Sequence, residues 1–166
     1  MRARANFRLT GWGAGDDLSA TVGCRSIFSW APVPYELTFT KIVPITDRDQ
    51  YINECCFGGD VVVNQLLPDL RTRYEDIQSN QEDWGWFAWF RSASSNLAVD
   101  VFSDNPDAGG FRIHLTSNVP RFLFGAKVID TPELESLLGL VVDAISRWTG
   151  QDPQVLRLDS KYMPFE

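Results

Sequence analysis

The feature that most limits what this chain can fold into is the order of its second half. Three β-rich segments, Trp84 to Ser92, Leu97 to Ser103 and Phe111 to Ser117, are followed by a long amphipathic helix and a last strand, Gln154 to Leu158. The stretches between the strands, Ser92 to Asn96 and Asp104 to Gly110, are rich in turn residues, so the three strands read as an antiparallel meander. The helix is bounded on both sides. Asp130 or Thr131 caps it, Pro132 suits its first turn, Leu134, Leu137, Leu138, Val141, Ile145 and Trp148 form its apolar stripe, and Gly150 ends it.

Upstream the pattern is also β-rich. Phe7 and Leu9 alternate with polar neighbours, the glycine-rich Gly11 to Asp17 reads as a turn, and Ser19 to Trp30 and Tyr35 to Val43 read as further strands around the break at Pro32 and Pro34. Asp47 suits the cap of a short helix to about Phe57, ended by Gly58 and Gly59, and Asp60 suits the cap of a second. In that second helix Val63, Leu66, Leu67, Leu70, Tyr74 and Ile77 form a stripe, and Pro68 predicts a kink or break near Leu67. The polar run Gln78 to Glu82 reads as a loop, a point of division within an otherwise single domain spanning 1–166. The fold class expected is therefore α+β: a mostly antiparallel sheet with two main helices on one face and an N-terminal β-rich segment that completes or covers it.

Strand parity turns this layout into a surface. Leu97, Val99 and Val101 share a face with Phe111, Ile113 and Leu115, and Phe87 and Trp89 are expected to join them beneath the helices. The opposite face then collects Trp84, Trp86, Ala88 and Phe90 with Ala98, Asp100, Phe102, Arg112 and His114. Asp100 should lie across from Arg112 or His114, a cross-strand pair worth about 0.2–1 kcal/mol. A sheet face with several large aromatics is not simply left in water. Either the N-terminal strands bury or extend it, or part of it meets a second subunit, another protein or a small apolar ligand.

The segment Glu82-Asp83-Trp84-Gly85-Trp86 resembles one that recurs in small bacterial α+β proteins of unassigned function, where it enters the first strand of a meander followed by a helix and a strand. The resemblance covers about residues 60 to 158. It implies the layout and carries no activity.

Candidate chemistry is sparse. His114 is the only histidine, so any nucleophilic triad must use it; Asp100 could orient it, but nothing in the spacing supplies a nucleophile. Cys24, Cys55 and Cys56 are an odd set without metal-ligand spacing, and the last two read as small buried residues. Gly11 to Gly15 lacks the following helix that a phosphate loop needs. Glu82 with Asp83, and Asp104 with Asp107, read as solvated turn residues. No catalytic residue, metal or cofactor is implied.

Composition bears on partners. The net charge is −7, and the chain after residue 80 carries −5 of it, 7 basic against 12 acidic residues, which disfavours nucleic acid and anionic membranes. No stretch is apolar enough for a signal-peptide core or a membrane span, so a cytoplasmic protein is expected. Aromatics make up 13% of residues, a supply that suits an interface as well as a core. These features favour a non-enzymatic binding module for a basic protein, of which an inhibitor of the bacterial immunity type is one form. The alternatives are a small-molecule or enzyme pocket on the aromatic and charged face, and a self-associating structural protein held through Trp86.

Overall fold

The computed structural model describes residues 34–159 other than 94, 122–124 and 129–130, together with residues 163–164. The strands expected before Pro34, the Gly11 to Asp17 turn, Cys24 and the Asp130 cap lie outside the described residues. The elements are β1 (Tyr35–Thr40), α1 (Gly59–Leu70), β2 (Gln78–Glu82), β3 (Gly85–Ser92), β4 (Ser95–Asn105), β5 (Gly110–Arg121), β6 (Gly125–Val128), α2 (Pro132–Thr149) and β7 (Gln154–Arg157). The strands form one sheet in the order β2-β3-β4-β5-β1-β7, every pairing antiparallel, and β6 pairs with the far end of β5. This is the α+β class expected, with β3 to β5 as the meander.

α2 matches its sequence signals closely. The Thr131 hydroxyl accepts from the Leu134 amide at 3.1 Å, Pro132 is the first helical residue, and Gly150, at φ 80°, donates its amide to the Ser146 carbonyl at 2.8 Å. Leu134, Leu137, Val141 and Ile145 are fully buried against the sheet, with Leu138 and Trp148 partly so.

The approach to α1 departs from expectation. Asp47 does cap, but it caps a single 3-10 turn, Arg48–Gln50; a second, Glu54–Cys56, is capped by Asn53. With side-chain caps this closely spaced and no apolar stripe to bury, the backbone is satisfied turn by turn rather than as one helix. Gly58 and Gly59 open α1 instead of ending a helix. Gly58 sits at φ 71°, and a Cβ there would lie 2.5 Å from Val43 Cγ2, so only glycine fits. Asp60 lies inside the first turn and accepts from the Tyr51 hydroxyl at 2.8 Å rather than capping. Pro68 does not break the helix at Leu67, since α1 runs through it to Leu70. It sits in the last turn, where one amide bond is lost just before the end at Leu70, so Tyr74 and Ile77 belong to the chain after the helix.

The run Gln78 to Glu82 is not a loop between subdomains but the edge strand β2, paired along its length with β3. Four of its five residues are exposed, and polar side chains on both faces suit a strand whose outer edge meets water.

β3 turns the opposite face to the helices from the one expected. Trp86, Ala88 and Phe90 of β3 stand opposite Val101, Val99 and Leu97, on the face covered by α1 and α2. Phe87 and Trp89 stand opposite Asp100 and Ala98, on the other face. β3 is apolar on both faces, so its own alternation does not choose. The choice is made by the tight turn that pairs Ser92 with Ser95, which sets even positions of β3 against odd positions of β4. Contacts then hold it: the Trp86 indole N–H donates to the Cys56 carbonyl at 3.1 Å, a Cβ on Gly59 would fall 2.6 Å from Trp86 Cδ1, and the Phe90 ring packs on Tyr74 at 4.5 Å.

Candidate functional site

The sheet face turned away from the helices, called the outer face, is organised in rows across the strands. One row runs Asn80, Phe87, Asp100, His114, Glu36 and Leu156; its neighbours include Gln78, Trp89 and Ala98 on one side, and Phe102, Arg112 and Thr38 on the other. Of the residues expected together on this face, the structure unites Trp84, Asp100, Phe102, Arg112 and His114. Trp86 and Phe90 are instead packed on the core side, and Phe87 and Trp89 take their place.

The aromatics form a continuous series. Phe87 stacks on Trp89 with centroids 4.2 Å apart, lies 6.2 Å from Trp84, and Trp84 in turn lies 5.5 Å from Phe102. Phe87 is buried at 7% exposure, while Trp89 at the end of the series is 47% exposed, the most open of the described tryptophans. A large apolar ring so exposed is the kind of residue that contributes disproportionately when an interface closes over it.

Beside the rings runs a charged network. The Arg112 guanidinium forks onto Asp104, with bonds of 3.0 and 2.9 Å, and reaches Glu36 at 3.6 Å. It also lies 4.9 Å from the Phe102 ring centroid. Glu36 binds His114 Nε2 at 2.8 Å. His114 is thus across from Asp100 as expected, but Glu36 on β1, a residue that sequence reasoning did not single out, is the carboxylate that orients the imidazole. Cross-strand register from β1 to β5 was the missing signal, since nothing in either segment alone indicates that Glu36 and His114 are paired. Burial pushes the His114 pKa down, with the Glu36 hydrogen bond opposing it.

Asp100 is set apart from this network. Its Oδ1 is buried without a hydrogen-bond partner among the described residues. Burial pushes its carboxyl pKa up to about 6, with the Trp89 indole N–H pulling the other way. A buried carboxyl left partly unsatisfied costs stability when ionised.

At the Trp89 end the face opens into a groove of about 730 Å³. Glu75 and Asp76, from the chain after α1, stand at it with Gln78, Arg91, Asn96 and Asn118 around the indole. Asn96 donates to Asn118 at 3.0 Å, which fixes that wall.

The remaining candidates resolve simply. Cys56 is buried, with its thiol 3.1 Å from the Glu82 carbonyl and its pKa pushed up by burial, whereas Cys55 is exposed, against the expectation that both are buried. Asp107 pairs with Arg48 at 3.1 Å on the surface. Among the described residues no group of three or more metal-capable side chains converges, and no helix is long and apolar enough to cross a membrane. No protein-family model, curated protein or solved structure matches the chain.

Proposed function

We propose that the chain is a non-enzymatic protein-binding module that presents the outer face of its sheet to a basic partner, an inhibitor of the immunity type being the form that its acidity suits best. The observation that carries the reading is Trp89, 47% exposed at the end of a stacked aromatic series and bordered by the carboxylates of Glu75 and Asp76. Rings of this kind provide contact area at low entropic cost, and surrounding acid steers and selects a cationic partner. The test is site-resolved photo-crosslinking in cells that make the protein, with the crosslinker placed at Ala98 or Thr38 on the outer face and at Ser136 or Gly139 on the exposed side of α2. Adducts with one basic protein from the outer-face positions alone are expected. Adducts from the α2 positions, or from none, overturn the reading.

A second reading, a small-molecule or enzyme pocket using Asp100, Arg112 and His114, is favoured by the Asp100 oxygen that has no hydrogen-bond partner among the described residues, beside the aromatic rings. Its test is a thermal-shift screen of small organic amines, in which stabilisation of the wild type that is lost in both Asp100→Asn and His114→Ala supports a pocket. Self-association through Trp86 has lost its motive, because that ring packs against α1 and the Cys56 carbonyl.

A further inference from the structure

We infer that the groove beside Trp89 is a receptor for a single arginine side chain of the partner. The inference rests on the protein-binding reading and assigns its anchor. Four features of the groove converge on a guanidinium. The Trp89 ring is held from one side by Phe87 at 4.2 Å and 26° between planes, yet remains half open, so a planar cation can stack on an indole that is already fixed in place. Glu75 and Asp76 supply two carboxylates at the groove, both exposed, and neither is engaged in an ion pair among the described residues. Among the described residues Arg91 is the single basic side chain on the groove wall, so their lining carries a net −1, from two carboxylates and one guanidinium. Gln78 and Asn96 add amide groups that can bond the peptide flanking the anchor.

The alternatives fit less well. An anion would meet two carboxylates against one guanidinium. A purely apolar anchor would leave the carboxylates and amides without partners as the groove closed, which is costly. Lysine satisfies the charge but not the planar stacking, so it should bind more weakly than arginine. Citrulline keeps the plane and loses the charge.

The experiment is a titration of the ¹⁵N-labelled full chain with capped Gly-Arg-Gly tripeptide and its lysine and citrulline counterparts, following the tryptophan indole N–H signals, with Trp89 assigned from a Trp89→Phe variant. The arginine peptide should shift the Trp89 signal at several-fold lower concentration than lysine, and citrulline should require at least tenfold more. The double variant Glu75→Gln, Asp76→Asn should weaken arginine binding about tenfold, while Glu133→Gln on α2 should leave it unchanged. Equal responses to arginine and citrulline, or shifts confined to signals other than Trp89, overturn the inference. If the tripeptides fail in this way while crosslinks still come only from the outer face, the binding-module reading survives and only its anchor is wrong; if the crosslinks also fail, both fall.

Discussion

The two faces of the one sheet are built on opposite terms. Toward the helices, Leu37, Val99, Val101, Ile113 and Leu115 are fully buried beneath Leu66, Leu70, Leu137, Val141 and Ile145, an aliphatic layer whose own side chains need no polar partner, although at its margin the Ser103 hydroxyl is buried with no hydrogen-bond partner among the described residues. The outer face, from the intervening residues of the same strands, holds Glu36, Asp100, Arg112 and His114 among aromatic rings, with one carboxyl oxygen left unpaired among the described residues. Burial of aliphatic surface contributes about 25 cal/mol per Å² without conditions, whereas a buried polar network contributes only when every member is satisfied. The contrast teaches that stability is concentrated on one side, and that the other accepts groups that stability alone would not select.

That comparison breaks most readily in the core. Leu137→Ala should cost about 2–5 kcal/mol, since the side chain is fully buried under β-strands that cannot collapse around it; Trp89→Ala on the outer face should cost under about 1 kcal/mol. Urea midpoints compare the two directly, and equal losses would mean that the outer face is as much a core as the inner one.

Asp100→Asn tests the unpaired oxygen. Its folded pKa of about 6 lies above the ordinary aspartate value of 3.8, so the folded state binds the proton more tightly than the unfolded state does. The wild type should therefore gain stability from this group as pH falls from 7 to 4, by about 2–3 kcal/mol, and lose it as pH rises through 6. His114 acts in the opposite sense: with its pKa below 6.5, the unfolded state takes up the proton first, and stability falls as pH drops through that value. In Asp100→Asn the stability at pH 8 should rise toward its low-pH level and the gain on acidification through pH 6 should disappear, as read from denaturation at pH 4, 6 and 8. An unchanged pH profile would show that Asp100 is solvated.

A smaller effect separates two helical glycines. Gly139 lies exposed in α2 with nothing within 4 Å of an added Cβ, so Gly139→Ala should raise stability by about 0.5–1 kcal/mol. Gly59→Ala gains the same backbone term but drives a methyl to 2.6 Å from Trp86 Cδ1, and should be net destabilising. Thermal midpoints moving in the same direction would place Trp86 elsewhere than beneath α1.

What could be read from sequence was whatever is fixed locally. α2 carried its cap, its stripe and its terminating glycine within one stretch, β5 alternates apolar with polar residues and β4 keeps Leu97, Val99 and Val101 at alternate positions around Asp100, so Leu97 and Ile113 could be assigned to the core and Asp100 and His114 to the opposite face. β3 could not be sorted, because Trp-Phe-Ala-Trp-Phe is apolar whichever way it faces. β2 was hidden because an edge strand needs no hydrophobic signature. Glu36 was hidden because its role arises only from pairing across 78 residues of sequence.

The tight turn between β3 and β4 has a consequence for how such a chain can vary. Inserting one codon between Ser92 and Ser95 would re-index β3 against β4, exchanging Phe87 and Trp89 for Trp86, Ala88 and Phe90 on the surface. Since both sets are apolar, the strand would still pair, but Trp86 would leave its slot under Gly59 and a different set of rings would face outward. Substitutions in that strand adjust the surface by degrees; a change in turn length would replace it in a single step, so alleles in this region should tolerate altered letters far better than altered spacing.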